Sequence, residues 1–343
     1  MKVLVATDAW HPQVNGVVHT LGHVAREGRA LGAELEFLSP DQFWTLPMPS
    51  YPEIRLALVG PRDVERRFDA VRPDAVHIAT EGPIGHAMRR VCLRHGLSFT
   101  TSFHTRFPDY LAERLPVPER WTSELTWGWL RRFHAPGATV MAATPTLACE
   151  LATHGFSNVR LWPRGVDAEL FRPRAGVDLK LPRPIFLTVS RLAVEKNLEA
   201  FLALDLPGTK VVVGDGPARA SLEQKFPNVV FVGARRGEAL ANIYSAADVF
   251  VFPSRTDTFG LVLLEALASG LPVAAFPAAA PRDVTGGAPV GCLDEDLRRA
   301  CLEALELKRQ DCRDFALGMT WAESARIFLK HVDAARVGKR QAA

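Results

Sequence analysis

Cysteine, lysine and long apolar runs are all scarce in this chain of 343 residues. The five cysteines are odd in number and show no CxxC spacing, which argues against a disulfide framework and a structural zinc site. No stretch of about 18 uncharged apolar residues occurs, so we expect no membrane-spanning helix. With 48% hydrophobic and 23% charged residues, the composition is that of a globular protein and excludes wholesale disorder.

Arginine carries almost all of the positive charge. The chain has 33 arginines and 8 lysines, and Lys2 is the only lysine before Lys180. A net charge of +3 without a recognition motif predicts no nucleic-acid partner. The planar arginine fork suits phosphate and carboxylate groups, so the usage favours anionic ligands or lipid head groups. Because the segment MKVLVATDAW resembles a buried strand and not a signal peptide, the expected location is the cytoplasm.

Short apolar runs alternate with longer amphipathic stretches along the whole chain. This alternation predicts an α/β protein with parallel sheets covered by helices, and the length suggests two domains. A stretch rich in proline, glycine and charge, Pro163 to Pro184, marks the crossover between domain 1–165 and domain 166–320. The predicted strands are Lys2 to Thr7, Glu34 to Leu38, Ala75 to Ile78, Ser98 to Thr101, Thr139 to Ala143, Ile185 to Val189, Lys210 to Val213, Val229 to Val232, Val249 to Phe252 and Val273 to Phe276.

The segment VFPSRTDTFGLVLLEALASGLP, residues 251–272, contains the most informative pattern. A buried strand is followed by a polar turn, and Gly260 opens a helix. The backbone N–H groups of Phe259, Gly260 and Leu261 would then bind a phosphate or a sugar hydroxyl. Asp257 and Glu265 can accept hydrogen bonds from a sugar or ribose. In the alternative, Asp257 or Thr258 is only a helix cap and Glu265 lies on a solvated face.

Two loops at strand ends in the second half contain candidate phosphate-binding groups. In LTVSRLAVEKN, Arg191 and Lys196 can clamp a diphosphate and stabilise it as a leaving group. They would otherwise form a solvated loop neutralised by Glu195. In VVVGDGP, Gly214 and Gly216 permit close approach of the backbone to a nucleotide, although a plain turn explains them equally well.

The first half offers fewer candidates. In VNGV, Asn15 and Gly16 predict a tight turn with positive φ before a helix that begins near Val18. His104 follows a predicted strand, where it is either a ligand-binding residue or an ordinary histidine at the rim of the core. No cluster has metal-ligand spacing, so we expect neither a metal nor another cofactor.

Together these segments resemble the retaining glycosyltransferases of family 4, which have the GT-B fold. The motifs that carry the resemblance, in chain order, are VNGV, FHTRFP, RGVDAELFRP, VSRLAVEKN, VVVGDGP and TDTFGLVLLEALASGLPVAA. The resemblance implies two doubly wound Rossmann-like domains facing across a cleft, with a closing helix at 321–338 that packs back on the first domain. It also implies a metal-independent hexosyltransferase whose co-substrate is a nucleoside-diphosphate sugar.

The resemblance also assigns roles to residues. Positions matching Arg191 and Lys196 hold the donor diphosphate, and the position matching Glu265 binds the ribose. The position matching Asp257 contacts the transferred sugar with help from backbone amides at Thr258 to Gly260. His104 matches a histidine near the anomeric carbon, and Gly16 matches a glycine close to the diphosphate. Two departures stand out: the family usually has glutamate at Asp257, and many relatives have asparagine at Arg164.

The sequence features that indicate the acceptor are weaker than those that indicate the donor. The segments at 44–58 and 77–89 are similar to bacterial enzymes that glycosylate diacylglycerol, which predicts a lipid acceptor and peripheral association with the inner face of the cytoplasmic membrane. An aromatic stripe with basic flanks at 116–134 suits a membrane interface, or else packs into the core. The membrane or acceptor candidates are Arg114, Arg120, Trp121, Trp127, Trp129, Arg131 and Arg132.

The function predicted from the sequence is therefore transfer of a sugar from a uridine-diphosphate donor, such as UDP-glucose or UDP-glucuronate, to a lipid, most simply diacylglycerol. The leading alternative is a GDP-mannose-dependent mannosyltransferase acting on a lipid or saccharide. A transferase with a soluble acceptor, a sugar-nucleotide epimerase and a non-catalytic sugar-nucleotide-binding protein are further alternatives.

Overall fold

The computed structural model describes residues 1–13, 15–48, 51–104 and 119–336, and it describes side-chain surroundings in these ranges except at 51–54 and 119–123. Within them the chain divides into two compact domains. The first contains Met1 to Arg164 together with the helix that begins at Trp321, and the second contains Gly165 to Thr320.

A parallel six-stranded sheet forms the centre of the first domain, in the order β2-β1-β5-β6-β7-β8. The middle strands β5 and β6 are buried along their whole length because helices cover both faces of the sheet. A two-stranded antiparallel hairpin, β3 and β4, follows β2. The strands are β1 (Lys2–Ala6), β2 (Glu34–Leu38), β3 (Thr45–Met48), β4 (Tyr51–Ala57), β5 (Ala75–Ile78), β6 (Thr100–Phe103), β7 (Thr139–Ala142) and β8 (Val159–Leu161).

The helices of the first domain alternate with these strands. They are α1 (Gly16–Ala30), α2 (Pro61–Val71), α3 (Pro83–His95), α4 (Glu119–His134) and α5 (Pro145–Thr153), and the C-terminal helix α13 (Trp321–Ala334) belongs to the same domain. Helix α13 buries Ala325, Phe328 and Val332 in one core cluster with Leu21 and Val24 of α1. The end of the chain therefore completes the core of the domain in which the chain begins.

A second parallel sheet of six strands forms the other domain, in the order β11-β10-β9-β12-β13-β14. This order is typical of dinucleotide-binding Rossmann domains. The strands are β9 (Ile185–Val189), β10 (Thr209–Val213), β11 (Val230–Gly233), β12 (Val249–Phe252), β13 (Val273–Ala275) and β14 (Gly291–Leu293). The helices are α6 (Leu198–Leu202), α7 (Arg219–Lys225), α8 (Gly237–Ala246), α9 (Leu261–Ala268), α10 (Ala279–Thr285), α11 (Leu297–Ala304) and α12 (Arg309–Leu317).

The predicted pair of doubly wound α/β sheets is confirmed, with small differences at element boundaries. Strand β6 lies two residues further along than Ser98 to Thr101, so His104 follows its last residue directly. Strands β3, β4, β8 and β14 are additional to the predicted set. Strands β8 and β14 have three residues each, too few to show a period.

Candidate active site

Two loops of the second domain meet at the carboxyl end of its sheet. After β9 the chain forms a single 3₁₀ turn, Val194–Lys196, and Asn197 follows in the left-handed conformation. The Asn197 side-chain amide donates to the Pro253 carbonyl at 3.1 Å, which ties this loop to the end of β12. As a result the Lys196 ammonium donates to Oδ1 of Asp257 at 2.5 Å. Sixty-one positions apart in the chain, the two predicted site residues form an ion pair.

Asp257 is not a helix cap. The N-cap of α9 is Gly260, so the alternative in which Asp257 or Thr258 is the N-cap is wrong. Oδ1 of Asp257 is bound by Lys196, whereas Oδ2 is buried and has no hydrogen-bond partner in the described part of the chain. A buried carboxylate oxygen without a donor is costly, and a ligand hydroxyl would satisfy it.

Gly260 permits the sharp entry into helix α9. Its φ of +78° is left-handed, and a Cβ there would lie 3.0 Å from Cζ of the Phe252 ring. The helix starts at Leu261, so the N–H groups of Leu261 and Val262 have no acceptor within the helix, while the Leu263 N–H donates to the Gly260 carbonyl at 2.9 Å. The predicted donor groups of Thr258, Phe259 and Gly260 therefore lie directly before the positive end of a helix dipole.

Glu265 lies one turn into the same helix and is only partly exposed. Its Oε2 accepts a hydrogen bond of 3.0 Å from the hydroxyl of Tyr244, a fully buried residue of α8. Burial raises the pKa of Glu265 to about 7, against the opposing effect of the Tyr244 hydrogen bond. The interpretation of Glu265 as a residue on a solvated face is therefore wrong. Tyr244 was missed because nothing in the sequence links it to a residue 21 positions later.

Glycine is required at positions 214 and 216 by close packing of the backbone, which the sequence did not suggest. A Cβ on Gly214 would lie 1.8 Å from the carbonyl oxygen of Ser190, and one on Gly216 would lie 2.4 Å from that of Leu192. The Leu192 N–H donates to the Asp215 carbonyl at 2.9 Å. The two glycines let the loop after β10 pack against the loop that carries Arg191, so they position that arginine whether or not they also touch a nucleotide.

In the first domain, Asn15 caps helix α1. Its Oδ1 accepts hydrogen bonds from the N–H groups of Val17 and Val18, each at 3.1 Å. Asn15 is extended, with φ of −149°, and Gly16 is already the first helical residue. The predicted turn with positive φ is therefore wrong, since an asparagine N-cap starts the helix without one. The predicted helix N-terminus is present, two residues earlier than expected.

His104 belongs to a buried chain of hydrogen bonds. Its Nε2 lies 2.8 Å from the Ser102 hydroxyl, which lies 3.1 Å from Nε2 of His77. Nδ1 of His77 lies 2.8 Å from the Thr100 hydroxyl, and Nδ1 of His104 lies 3.4 Å from Nη2 of Arg164. Burial, reinforced by the Arg164 charge, lowers the pKa of His77 to about 3 and that of His104 well below its usual value. Both imidazoles are therefore neutral.

Sequence reasoning missed several members of the buried polar set in this domain. Asp8, two residues after the end of β1, accepts hydrogen bonds from the N–H groups of Ile84 and Gly85 and so caps the start of α3. Burial raises the pKa of Asp8. The buried Glu81 lies 3.1 Å from Nε2 of His134. Only the strand-end positions of Asp8 and Glu81 could have suggested them.

The aromatic stripe on α4 divides between core and surface. Trp127 is 7% exposed, stacks on the His154 ring at 3.9 Å and belongs to a core cluster with Phe103, so its prediction as a membrane residue is wrong. Trp129 and Leu125 are 41% and 74% exposed. Arg131 and Arg132 are also exposed. Arg114 and the side chains of Arg120 and Trp121 lie outside the described residues.

In the ranges given above, no group of three or more His, Cys, Asp or Glu side chains is arranged to hold a metal ion. No helix there has both the length and the apolar character needed to cross a bilayer.

Solved structures with the same architecture are glycosyltransferases of the GT-B fold. Sucrose-phosphate synthase from Thermosynechococcus elongatus superposes with a TM-score of 0.76, at 20% identity, over 96% of this chain and 97% of that one. The HepE protein of Anabaena in complex with UDP-glucose gives a TM-score of 0.71 at 13% identity, over 97% of this chain and 100% of that one. The fold therefore defines this chain as a GT-B protein.

Family models cover most of the sequence. The model for glycosyltransferase family 4 matches residues 14–170, and the model for group 1 glycosyl transferases matches residues 183–306. A GDP-mannose-dependent alpha-mannosyltransferase of Mycobacterium tuberculosis is 31% identical over 99% of this chain and 98% of its own length. An alpha-monoglucosyldiacylglycerol synthase of Streptococcus pneumoniae is 25% identical over 89% of this chain and 78% of its own length. This chain belongs to the family-4 glycosyltransferases, and it is a hexosyltransferase.

Proposed function

We propose that this enzyme transfers mannose from GDP-mannose to a lipid acceptor with retention of configuration and without a metal ion. One observation carries the choice of donor: the 31% identity with a GDP-mannose-dependent alpha-mannosyltransferase extends over 99% of the chain. A second GDP-mannose-dependent alpha-mannosyltransferase, from Mycolicibacterium smegmatis, is 33% identical over 85% of this chain and 84% of its own length. This favours the alternative named from the sequence over the uridine-diphosphate donor.

The site in the second domain supports a bound sugar nucleotide. Glu265 would accept hydrogen bonds from the ribose diol, and Arg191 and Lys196 would hold the diphosphate. The unpartnered oxygen of Asp257 would accept a hydrogen bond from a hydroxyl of the transferred sugar. Since Asp257 has a shorter side chain than the glutamate usual in the family, its contact with the sugar would differ from the usual one.

The proposed chemistry needs only these groups and the acceptor hydroxyl. The bond between the anomeric carbon and the diphosphate oxygen breaks, and its electron pair stays on the diphosphate. The acceptor oxygen bonds to the anomeric carbon from the same face, and its proton passes to the leaving phosphate oxygen. Lys196 and Arg191 stabilise the negative charge that develops on the leaving group, the step to which such donors contribute most.

Lipid acceptors are supported by the names of several relatives. One is a phosphatidylinositol dimannoside mannosyltransferase of Mycobacterium tuberculosis, 25% identical over 99% of this chain and 98% of its own length. The exposed Trp129 and Leu125, with Arg131 and Arg132 on the same helix, suit contact with an anionic membrane face. Diacylglycerol glucosylation from a uridine-diphosphate sugar is the second candidate, favoured by the synthase of Streptococcus pneumoniae.

Incubating purified enzyme with a membrane lipid extract and one sugar nucleotide at a time tests the proposal. Mass spectrometry of the organic phase should show a new hexosyl lipid with GDP-mannose and none with UDP-glucose or UDP-glucuronate. Adding EDTA should leave the amount of product unchanged. A product formed only from a uridine-diphosphate sugar would select the second candidate.

A flotation experiment with anionic vesicles tests membrane contact. The Trp129→Ala variant should bind the vesicles less than wild type, and Leu161→Ala, at an exposed leucine of β8, is the matched control.

A further inference from the structure

Tyr244 is a fully buried residue whose hydroxyl reaches the partly exposed Glu265. It lies in the last turn of α8, and its hydroxyl donates to Oε2 of Glu265 at 3.0 Å. Its ring lies in the core, edge-on to the Phe171 ring at 5.6 Å between centroids and 5.7 Å from the Phe250 ring. Because a phenol oxygen lies on the axis of its ring, flips of the ring leave it in place. The core therefore fixes the position of this donor.

Glu265 has a long, flexible side chain that needs a partner to stay in one orientation. Ordering such a side chain costs conformational entropy, and a contact already formed in the free protein meets this cost before a ligand binds. The Tyr244 hydrogen bond also favours the ionised carboxylate, and so opposes the rise in the pKa of Glu265 that burial causes. Tyr244 thus keeps the carboxylate both oriented and able to accept hydrogen bonds.

The hydrogen bond to Tyr244 divides the two carboxylate oxygens between the protein and a ligand. An ionised carboxylate accepts through both oxygens, and the core donor engages Oε2. Oε1 can therefore accept from a ligand hydroxyl. Glu265 is the fifth residue of α9, and this helix begins four residues after Asp257. The oriented oxygen thus belongs to the same strand–loop–helix segment as the candidate sugar contact.

We propose that Tyr244 is a positioning residue for donor recognition, which holds the Glu265 carboxylate so that Oε1 accepts from the ribose diol. The pair would then select a ribonucleoside donor over a deoxyribonucleoside one. The inference rests on the proposed ribose contact of Glu265 and adds the residue that orients it. A deoxynucleotide lacks one hydroxyl of the diol, so it loses a charge-assisted hydrogen bond only where the carboxylate is held ready to accept it.

Calorimetric titration with GDP, 2′-deoxy-GDP and 3′-deoxy-GDP tests this inference. The wild type should bind GDP about ten-fold or more tightly than at least one deoxy nucleotide, the size of one lost hydrogen bond to a charged group. Tyr244→Phe removes a single oxygen and should reduce this ratio by about three-fold or more, mainly by weakening GDP. Thr285→Val is the matched control, because it removes another buried hydroxyl of the domain, which donates to the Pro281 carbonyl at 2.8 Å.

The ratio of the two affinities separates a positioning role from a structural one. It compares two ligands on the same protein, so a partial loss of folded protein leaves it unchanged. Equal weakening of GDP and the deoxy nucleotides in Tyr244→Phe would show a structural hydroxyl and overturn the inference. A ratio in Tyr244→Phe equal to that of the wild type and of Thr285→Val would also overturn it.

Glu265→Gln separates this inference from the proposed function. If Glu265→Gln lowers the ratio and Tyr244→Phe does not, the ribose contact stands and the inference alone fails. If the wild type itself does not distinguish GDP from either deoxy nucleotide, the ribose contact fails and the inference fails with it. Parallel titrations with UDP and its deoxy forms keep the test valid for a uridine-diphosphate donor. If the ratios change as expected while no lipid is mannosylated, the positioning role stands and the proposed function fails.

Discussion

The two domains place polar side chains at the same edge of the same kind of sheet but handle charge in opposite ways. In the second domain, Lys196 and Asp257 form a partly exposed ion pair, with one carboxylate oxygen left for a ligand. In the first domain, His77, Ser102 and His104 form a buried chain of neutral groups. One doubly wound architecture therefore supports either an ion pair suited to a diphosphate site or a buried hydrogen-bond network that orients one histidine.

The largest effect that the comparison predicts is on turnover. Lys196→Ala removes a cation from the leaving group and leaves Asp257 without its partner, so kcat should fall by about 10² to 10³, the usual cost of losing one stabilising donor. Initial rates of nucleoside-diphosphate release would measure it. Lys225→Ala, which breaks the exposed pair with Glu199, should behave as wild type. Vesicle binding of Lys196→Ala should change little. Unchanged turnover in this variant would remove Lys196 from the mechanism.

A change in the first domain should cost stability instead. Ser102→Ala leaves Nε2 of His104 and Nε2 of His77 without their shared buried partner. We expect the free energy of unfolding to fall by about 1 to 3 kcal/mol, the cost of unsatisfied buried polar groups. Urea denaturation measures this, with the exposed Ser221→Ala of the second domain as a control. A loss of unfolding free energy no larger than that of the control would show that the hydrogen bonds of Ser102 do not stabilise the fold.

The smallest predicted effect concerns the pH dependence of donor binding. The pKa of Glu265 is about 7, above its ordinary value, so the carboxyl is protonated below that pH and accepts hydrogen bonds poorly. The affinity for GDP should therefore weaken as the pH falls from 8 to 6. Glu265→Gln should weaken binding by about ten-fold at pH 8 and flatten the pH dependence.

Calorimetric titration with GDP at several pH values would measure both effects. Glu303→Gln, at an exposed glutamate of the same domain, should keep the wild-type profile. A profile in Glu265→Gln as steep as that of the wild type would place the titrating group elsewhere.

Much of the second domain's site could be predicted because its signals are local. A strand, a polar turn, Gly260 and an apolar helix follow one another within 22 residues, and each step has a physical reason at short range. The partner of Glu265 could not be predicted, because Tyr244 lies on another helix. The aromatic residues of α4 could not be assigned to membrane or core from the sequence, because their spacing along a helix does not say which face is buried. Trp127 and Phe133 face the core, whereas Leu125 and Trp129 are exposed.

The sequence alone determined the alternation of strands and helices, hence two doubly wound sheets, because hydrophobic periodicity and turn residues act over a few positions. It also determined the family, through motifs kept in order along the chain. Only the tertiary structure decided which polar groups meet. Lys196 reaches Asp257, and Arg164 lies buried beside His104, because parallel strands bring distant loops to one edge of a sheet.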